Sequence, residues 1–381
     1  MIAVWKTFVR CPDMASLTTS LDAAASDPGV CRALLARLDQ LLAGRKLRFM
    51  EVCGTHTVSI FQSGLRSLLP ASIIHLSGPG CPVCVTHETE IGQCMELAAM
   101  GDIIFATFGD LLRVPAGNGQ SLRQARARGA DIRIVYSPLD AVLLARENPG
   151  REVVFAGIGF ETTAPGVAAA ILAAKKSNTV NFSVLCLHKL VAPAIRSILE
   201  DPQTGLDALL LPGHVATITG LAPFQFISSS FGRPAAVAGF EPADILLGLC
   251  ELAAQIAAGE SRIANCYGRA VANEGNPQAR SIMDAVFRPV DVSWRGLGLI
   301  SGSGLAIRDG FADFDARLRF DLKPVDVAPV PGCRCGDVLK GLVQPSQCKL
   351  FGRACTPASP VGPCMVSTEG SCAAWHKYGE V

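Results

Sequence analysis

The sequence predicts an α/β protein with two similar, doubly wound open-sheet domains and a small C-terminal domain. Between residues 46 and 258, short apolar runs alternate with amphipathic segments of helical period. Apolar strands that alternate with helices indicate parallel sheets covered on both faces. An Asn-Pro-Gly break at 148–150 divides the strands into two groups, and the last fifty residues are rich in cysteine, glycine and proline instead.

The predicted elements follow one another in a regular order. Residues 1–45 are predicted to form an N-terminal helical segment, with the clearest pattern at 30–42. The predicted strands lie at 47–52, 72–76, 102–108, 131–136, 152–158, 181–187, 207–211 and 234–238. Helices are expected at 88–100, 121–128, 138–147, 167–175 and 242–258.

Eight strands could close a single barrel, but the break at 148–150 favours two open sheets. We therefore expect α/β domain I at 46–150 and α/β domain II at 151–290. Residues 291–381 would hold the remaining segment and the cysteine-rich domain.

Composition and charge exclude several classes of function. The net charge of +1 gives no excess of positive charge that would attract nucleic acid or an anionic membrane. The N-terminal apolar run is short and broken by Lys6 and Arg10, unlike an export signal, and no transmembrane helix is expected. We expect a cytoplasmic protein with neither nucleic-acid nor membrane partners. In a reducing compartment its 15 cysteines would more often be ligands or redox centres than structural disulfides.

Glycine-rich and polar motifs follow five of the predicted strands. They are CGTH at 53–56, GPGCPVC at 78–84, TFGD at 107–110, GIGFETT at 157–163 and PGH at 212–214. Ligands of open α/β sheets bind outside the carboxyl ends of the strands. We therefore expect these motifs to meet at one cleft, where His188 and His214 are expected to be structural.

Two of these motifs carry candidate chemistry. Cys53 and His56 offer a thiolate and an imidazole, which suit iron or zinc but also a nucleophilic cysteine with its base. Simple packing is the other interpretation of Cys53. Cys81 and Cys84 form a C-x-x-C unit that suits half a zinc site, a redox pair or a metal-handling dithiol. A helix that begins there would lower their thiol pKa.

Six cysteines lie in the last fifty residues, in a segment with too few large apolar side chains for a core of its own: Cys333, Cys335, Cys348, Cys355, Cys364 and Cys372. Their spacing is unlike the paired motifs of a zinc ribbon. Iron–sulfur clusters accept irregular spacing, so we favour a [4Fe–4S] cluster, with zinc and a disulfide knot as alternatives. Four ligands would leave two cysteines that could pair.

Motifs along the whole chain resemble the family of the hydrogenase maturation factor HypD. The matching segments lie at 50–57, 78–84, 107–110, 113–115, 159–165, 212–215, 238–242, 294–298 and 367–375. The resemblance implies two similar α/β domains facing a cleft, plus a [4Fe–4S] domain. It also implies an assembly scaffold with redox activity, rather than an enzyme of ordinary turnover, for the Fe(CN)₂CO unit of [NiFe]-hydrogenase. HypC would share the scaffold, and HypE, whose partner HypF acts upstream, would deliver cyanide transiently.

The resemblance also implies roles for individual residues. Cys53 resembles the thiolate that binds the iron together with a cysteine of HypC. His56 lies where a second ligand or an orienting group is expected. Cys81 and Cys84 resemble a redox-active pair. The expected cluster ligands are Cys335, Cys348, Cys355 and Cys372. Cys333 and Cys364 would then be an accessory redox pair, although Cys333 could replace Cys335 as a ligand. The competing hypotheses are a stand-alone iron–sulfur oxidoreductase acting on a small molecule and a zinc-stabilised binding protein.

Overall fold

Two parallel β-sheets organise the protein in a computed structural model that describes residues 27–116, 119–324 and 330–379. The first sheet has the order β2-β1-β7-β8-β9 and contains β1 Leu47–Glu51, β2 Ile73–Ser77, β7 Ala208–Pro212, β8 Ala235–Ala238 and β9 Ile263–Asn265. The second has the order β4-β3-β5-β6 and contains β3 Ile103–Thr107, β4 Ile132–Ile134, β5 Glu152–Gly159 and β6 Phe182–His188. The prediction of an α/β fold with two open sheets, rather than one barrel, is confirmed.

The predicted domain boundary at residue 150 is wrong. β3 pairs with β5 across that point, with Ile103 opposite Glu152, and β1 pairs with β7, with Phe49 opposite Ala208. The chain thus begins the first sheet, builds the whole second sheet and then returns to the first. The turn at 148–150 is no linker, because the Asn181 side-chain amide donates hydrogen bonds to carbonyl oxygens on both sides of it.

Helices flank both sheets, and all five helices expected between the strands are found. Those before β5 are Pro28–Leu42, Gly54–Gln62, Leu65–Leu68, Pro82–Val85, Glu88–Ala99, Leu122–Ala127 and Pro138–Glu147. Those after β5 are Ala164–Lys176, Val191–Glu200, Gly213–Thr219, Phe226–Ser229, Pro242–Ala258, Pro277–Val286 and Ala316–Arg319. Short 3₁₀ turns occupy Gly109–Arg113, Ala222–Phe224 and Asp309–Phe314. The predicted N-terminal helix at 30–42 is present, whereas residues 1–26 lie outside the described part. None of the helices in the described ranges could span a membrane.

Local sequence explains where these helices begin. Asp27 caps helix Pro28–Leu42 by accepting hydrogen bonds from the first-turn N–H groups. Helix Pro138–Glu147 starts with a capping box formed by Ser137 and Asp140, and Pro138 occupies its first turn.

The two sheets share one large apolar core. Its buried side chains come from the first sheet, from the second and from the antiparallel hairpin of β10 Phe287–Trp294 and β11 Gly298–Ile307. Buried cysteines from both the sheet loops and the C-terminal segment belong to the same core: Cys81, Cys84, Cys335 and Cys364. A buried ion pair between Lys189 and Glu90, with N–O distances of 2.7 and 2.8 Å, adds a polar connection.

The C-terminal segment contains helices Cys335–Leu339 and Ser371–Tyr378, with 3₁₀ turns at Pro345–Gln347 and Pro363–Met365. Helix Ser371–Tyr378 packs on helix Gly54–Gln62, which follows β1, and the Trp375 ring lies 5.4 Å from that of Phe61. This segment is therefore joined to the sheet domain that carries β1, although it is distant from β1 in sequence.

Candidate functional site

One cleft of about 340 Å³ gathers the loops that follow five strands. Its lining comes from the carboxyl ends of β1, β2, β3, β5 and β7 and from Glu369 in the C-terminal segment. The two sheets contribute to the same cavity because their carboxyl ends face each other across it. The predicted convergence of the strand-end motifs is confirmed.

Cys53 is the free thiol in this cleft. It lies directly after β1, in extended conformation, at the N-terminus of helix Gly54–Gln62, and only 8% of it is exposed. Burial, and then the carboxylates of Glu369 and Glu51, raise its pKa to about 12, although backbone N–H groups oppose this shift. The free thiol therefore keeps its proton at neutral pH, and a bound soft metal cation would replace that proton.

The loop around Cys53 is held from two sides. The fully buried Glu51 carboxylate accepts a hydrogen bond from the Cys53 N–H at 3.1 Å and from the Thr57 hydroxyl at 2.5 Å. On the other side Gly80 lies against the Cys53 backbone, and a Cβ atom added there would approach it to 2.4 Å. Only glycine fits at position 80, which explains its place before the C-x-x-C unit.

Cys81 and Cys84 form a disulfide bond with a Cα–Cα distance of 5.3 Å. Cys81 caps the short helix Pro82–Val85, and both residues are buried. The Cys84 sulfur lies 3.8 Å from the carbonyl oxygen of Pro363. This pair therefore connects the cleft loops with the C-terminal segment.

His56 does not line the cleft. Its Nε2 lies 2.8 Å from the carbonyl oxygen of Gly239, its ring packs on Phe240, and burial lowers its pKa. His214, which we expected to be structural, lines the cleft instead and stacks on Phe240 with ring centroids 3.9 Å apart. His188 is buried as expected, and burial lowers its pKa to about 3.

Glu369 is a cleft residue that sequence reasoning missed. Its carboxylate accepts a hydrogen bond from the Thr55 hydroxyl at 2.9 Å, and burial raises its pKa. Ser367 anchors the same loop by donating to Asp110 at 3.1 Å, and Arg113 donates to the Val366 carbonyl at 2.8 Å. The sequence offered one indication of its role: Glu369 lies in segment 367–375, which resembles the HypD family, three residues before Cys372.

All six C-terminal cysteines line one pocket. Cys364 is bonded to Cys335, with a Cα–Cα distance of 6.5 Å, so the predicted pairing of Cys333 with Cys364 is wrong. Cys335 begins helix Cys335–Leu339 and is buried toward the turn that carries Cys364, whereas the Cys333 sulfur lies against Gly362. The free thiols of the pocket are those of Cys333, Cys348, Cys355 and Cys372.

These four thiols fit a [4Fe–4S] cluster as a donor set. Burial, and then the neighbouring Cys355 and Cys348, raise the pKa of Cys333, and burial followed by the other three thiols raises that of Cys372. All four sulfur-bearing residues line the same pocket. Within the described residues, however, no three Cys, His, Asp or Glu side chains converge as ligands of a single ion. Thiols spread around a pocket suit a cluster, whose ligands bind different irons, better than one zinc ion.

Two cysteine pairs lie between the C-terminal pocket and the cleft. The four free thiols share their pocket with the Cys335–Cys364 disulfide. Pro363, next to Cys364, contacts Cys84, and the Cys81–Cys84 pair follows the β2 end beside Cys53. The two cysteine pairs thus lie between the candidate cluster pocket and the free thiol of Cys53 in the cleft.

The fold and these sites define a cysteine-rich α/β protein with two parallel sheets, a free thiol in the cleft between them and a C-terminal pocket of six cysteines. A family model described as "HypD: Hydrogenase formation hypA family" matches residues 29–379. The hydrogenase maturation factor HypD of Escherichia coli (strain K12) is 49% identical over 337 residues, which cover 88% of this chain and 90% of that protein. HypD2 of Bradyrhizobium diazoefficiens is 45% identical over 358 residues, which cover 92% of this chain and 93% of that protein. HypD of Rhodobacter capsulatus is 45% identical over 364 residues, which cover 93% of this chain and 96% of that protein.

The chain belongs to the HypD family of hydrogenase maturation factors.

Proposed function

We propose that the protein is the scaffold on which the Fe(CN)₂CO unit of [NiFe]-hydrogenase is assembled. The observation that carries this proposal is Cys53, a free thiol where five strand ends meet at one cleft. Low-valent iron that bears cyanide and carbon monoxide needs soft donors, and a thiolate is such a donor. The iron unit is the cargo of this site, and a cysteine of the partner HypC would share it.

The residues around Cys53 would prepare it for this cargo. Binding iron requires the Cys53 sulfur to lose its proton, and Glu369 is a nearby carboxylate with a raised pKa that can accept it. Glu51 holds the loop through the Cys53 N–H, and His56 fixes helix Gly54–Gln62 through Gly239. In this proposal His56 orients the site and does not ligate the iron.

The two cysteine pairs would store and pass electrons. Reduction of each disulfide breaks its S–S bond and takes up two electrons and two protons, which leaves two thiols. Cys333, Cys348, Cys355 and Cys372 would hold a [4Fe–4S] cluster, which when bound supplies one-electron transfer. Cys335 and Cys364 then form the accessory pair, and Cys81 and Cys84 the pair next to the iron.

The family membership supports the choice of partners. We propose a stable or semi-stable complex with HypC and a transient one with HypE, which delivers cyanide after HypF has acted upstream. The protein would work in the cytoplasm as an assembly scaffold with redox activity.

Infrared spectroscopy tests this function. The protein is co-purified with HypC, without oxygen, from a host that produces active [NiFe]-hydrogenase, and cyanide and carbonyl stretching bands are sought in the complex. Their presence supports the scaffold. Brown, iron–sulfur-loaded protein that lacks these bands in such a host would favour a stand-alone iron–sulfur oxidoreductase instead.

A further inference from the structure

Most polar side chains that line the cleft already have hydrogen-bond partners within the protein. The Thr55 hydroxyl donates to the Glu369 carboxylate at 2.9 Å, and the Thr163 hydroxyl donates to the Phe160 carbonyl oxygen at 3.2 Å. The described lining contains no lysine or arginine. A ligand that accepts hydrogen bonds from side chains must therefore use other donors of the cleft.

His214 is one donor that the protein does not use. It lines the cleft and is exposed, and within residues 27–116, 119–324 and 330–379 neither ring nitrogen has a hydrogen-bond partner. Its ring stacks on Phe240 with centroids 3.9 Å apart, which uses the face of the imidazole and leaves the N–H on its edge. An imidazole carries at least one N–H in either protonation state. His214 can therefore donate to a ligand from the wall that belongs to the first sheet.

Thr162 is the corresponding donor on the wall of the second sheet. It lies in the loop after β5, lines the cleft and is exposed. Its hydroxyl has no hydrogen-bond partner in the part of the chain that the structure describes. The loop is held in place because the neighbouring Glu161 carboxylate accepts the Val191 N–H at 2.9 Å. The two unused donors thus come from different sheets and face one cavity.

The iron unit that we propose as the cargo of this cleft has ligands of two chemical kinds. A cyanide bound to iron carries negative charge on its nitrogen and accepts hydrogen bonds, whereas the oxygen of bound carbon monoxide is a very weak acceptor. A charged acceptor gains most from a donor where water is excluded. Phe108, Leu111 and Ile158 belong to the apolar part of the lining, which suits the carbon monoxide.

We propose that the His214 N–H and the Thr162 hydroxyl each bind one cyanide nitrogen of the iron unit, and so select iron that carries two cyanides. This inference rests on the proposed function, because it assigns roles toward that cargo. Cys53 supplies the thiolate, while the two donors orient the unit without ligating the iron. A few well-placed polar groups in a largely apolar pocket are sufficient for such selection.

Infrared spectroscopy of the complex with HypC, purified without oxygen from a hydrogenase-producing host, tests these roles. His214→Phe keeps a ring against Phe240 but removes the N–H, and Thr162→Val keeps the side-chain shape but removes the hydroxyl. Each variant should shift the cyanide bands to lower wavenumber, because a hydrogen bond at the nitrogen raises the C–N stretching frequency. The double variant should carry at least about tenfold less of the unit, since hydrogen bonds to charged groups are lost.

Two conservative variants and a control separate hydrogen bonding from simple packing. His214→Gln and Thr162→Ser keep a donor, so their cyanide bands should lie closer to those of the unmodified complex. Thr368→Val is the matched control, since Thr368 is exposed and is not among the described residues that line the cleft. It should leave both the position and the intensity of the bands unchanged.

Unshifted cyanide bands in both His214→Phe and Thr162→Val would overturn the inference. If either variant carries no bands, its conservative counterpart decides, because bands in His214→Gln or Thr162→Ser support hydrogen bonding and their absence refutes it. Bands that are present in the unmodified complex and unchanged in the variants refute this inference alone. An unmodified complex without bands refutes the proposed function as well.

Discussion

At the scale of single residues, the cleft is notable for acidic groups that are buried close to a thiol. Glu51 is fully buried, and Glu369 reaches the same loop from the far end of the chain. Burial, and to a smaller extent both carboxylates, raise the pKa of Cys53, so its free thiol is neutral at pH 7. Neutral thiols resist oxidation and alkylation, which in the proposed function would protect Cys53 until the iron unit binds.

Glu161 gives a residue-scale prediction about pH. It is buried in the GFETT loop, one carboxylate oxygen accepts the Val191 N–H at 2.9 Å, and the other has no partner in the described residues. Burial raises its pKa from 4.5 to about 7. The unfolded chain therefore loses this proton first, and the folded state loses stability as the pH rises from 4.5 through 7.

The Glu161→Gln variant should accordingly gain stability above pH 7, by up to about 3 kcal/mol, and gain little at pH 4.5. Thermal or denaturant unfolding at both pH values measures the difference. The exposed Glu260→Gln serves as the control and should be neutral at both. A Glu161→Gln gain that is equal at the two pH values would contradict the burial explanation.

At the scale of elements, the close approach of two loops decides where the Cys53 sulfur lies. Gly80 O accepts the Gly54 N–H at 3.0 Å, and the Gly80 Cα has no room for a side chain. The loop after β2 therefore presses directly on the loop after β1. Neighbouring parallel strands bring the two motifs together, as the pairing of Glu51 with Ser77 shows.

Gly80→Ala should displace the Cys53 loop and cost about 1–3 kcal/mol of stability, as overpacking usually does. Gly101→Ala is the matched control, because an added Cβ meets nothing within 4 Å there. Its effect should stay within about 0.5 kcal/mol. Chemical denaturation of both variants measures the difference, and equal stabilities would show that the loops can adjust.

Local patterns in the sequence predict the elements but not how the elements assemble. Apolar runs and turn residues located eight of the eleven strands in the described residues but missed β9, β10 and β11, and strand-end motifs located the cleft. The pairing of β1 with β7 was not foreseen, because contacts distant in sequence leave no local pattern. For the same reason, the sequence did not indicate that Glu369 lines the cleft. Cys333 and Cys335 are only two residues apart, so spacing could not decide which of them pairs with Cys364.

At the scale of the whole molecule, the C-terminal segment completes a site that begins three hundred residues earlier. Glu369 contacts Thr55, and Pro363 contacts Cys84, so this segment closes one side of the cleft. Its own apolar residues are few, and the four free thiols surround its pocket. Ligation by these thiols would hold the segment in place.

Cys348→Ser should therefore lose the brown visible absorption and most of the bound iron, and should make residues 330–379 sensitive to protease. Cys31→Ser, a free and partly buried cysteine in helix Pro28–Leu42, is the control and should change neither property. Visible spectra, iron analysis and limited proteolysis check this prediction. Full retention of colour and protease resistance in Cys348→Ser would remove that residue from the ligand set.

The role of Cys53 as the thiolate that holds the iron unit is tested most directly by comparing infrared spectra of the unmodified protein and Cys53→Ser. Both are purified without oxygen, in complex with HypC, from the same hydrogenase-producing host. We expect cyanide and carbonyl bands in the unmodified complex alone, while both proteins keep the brown colour of the cluster. Bands of equal strength in Cys53→Ser would contradict the assignment of the iron to this thiol.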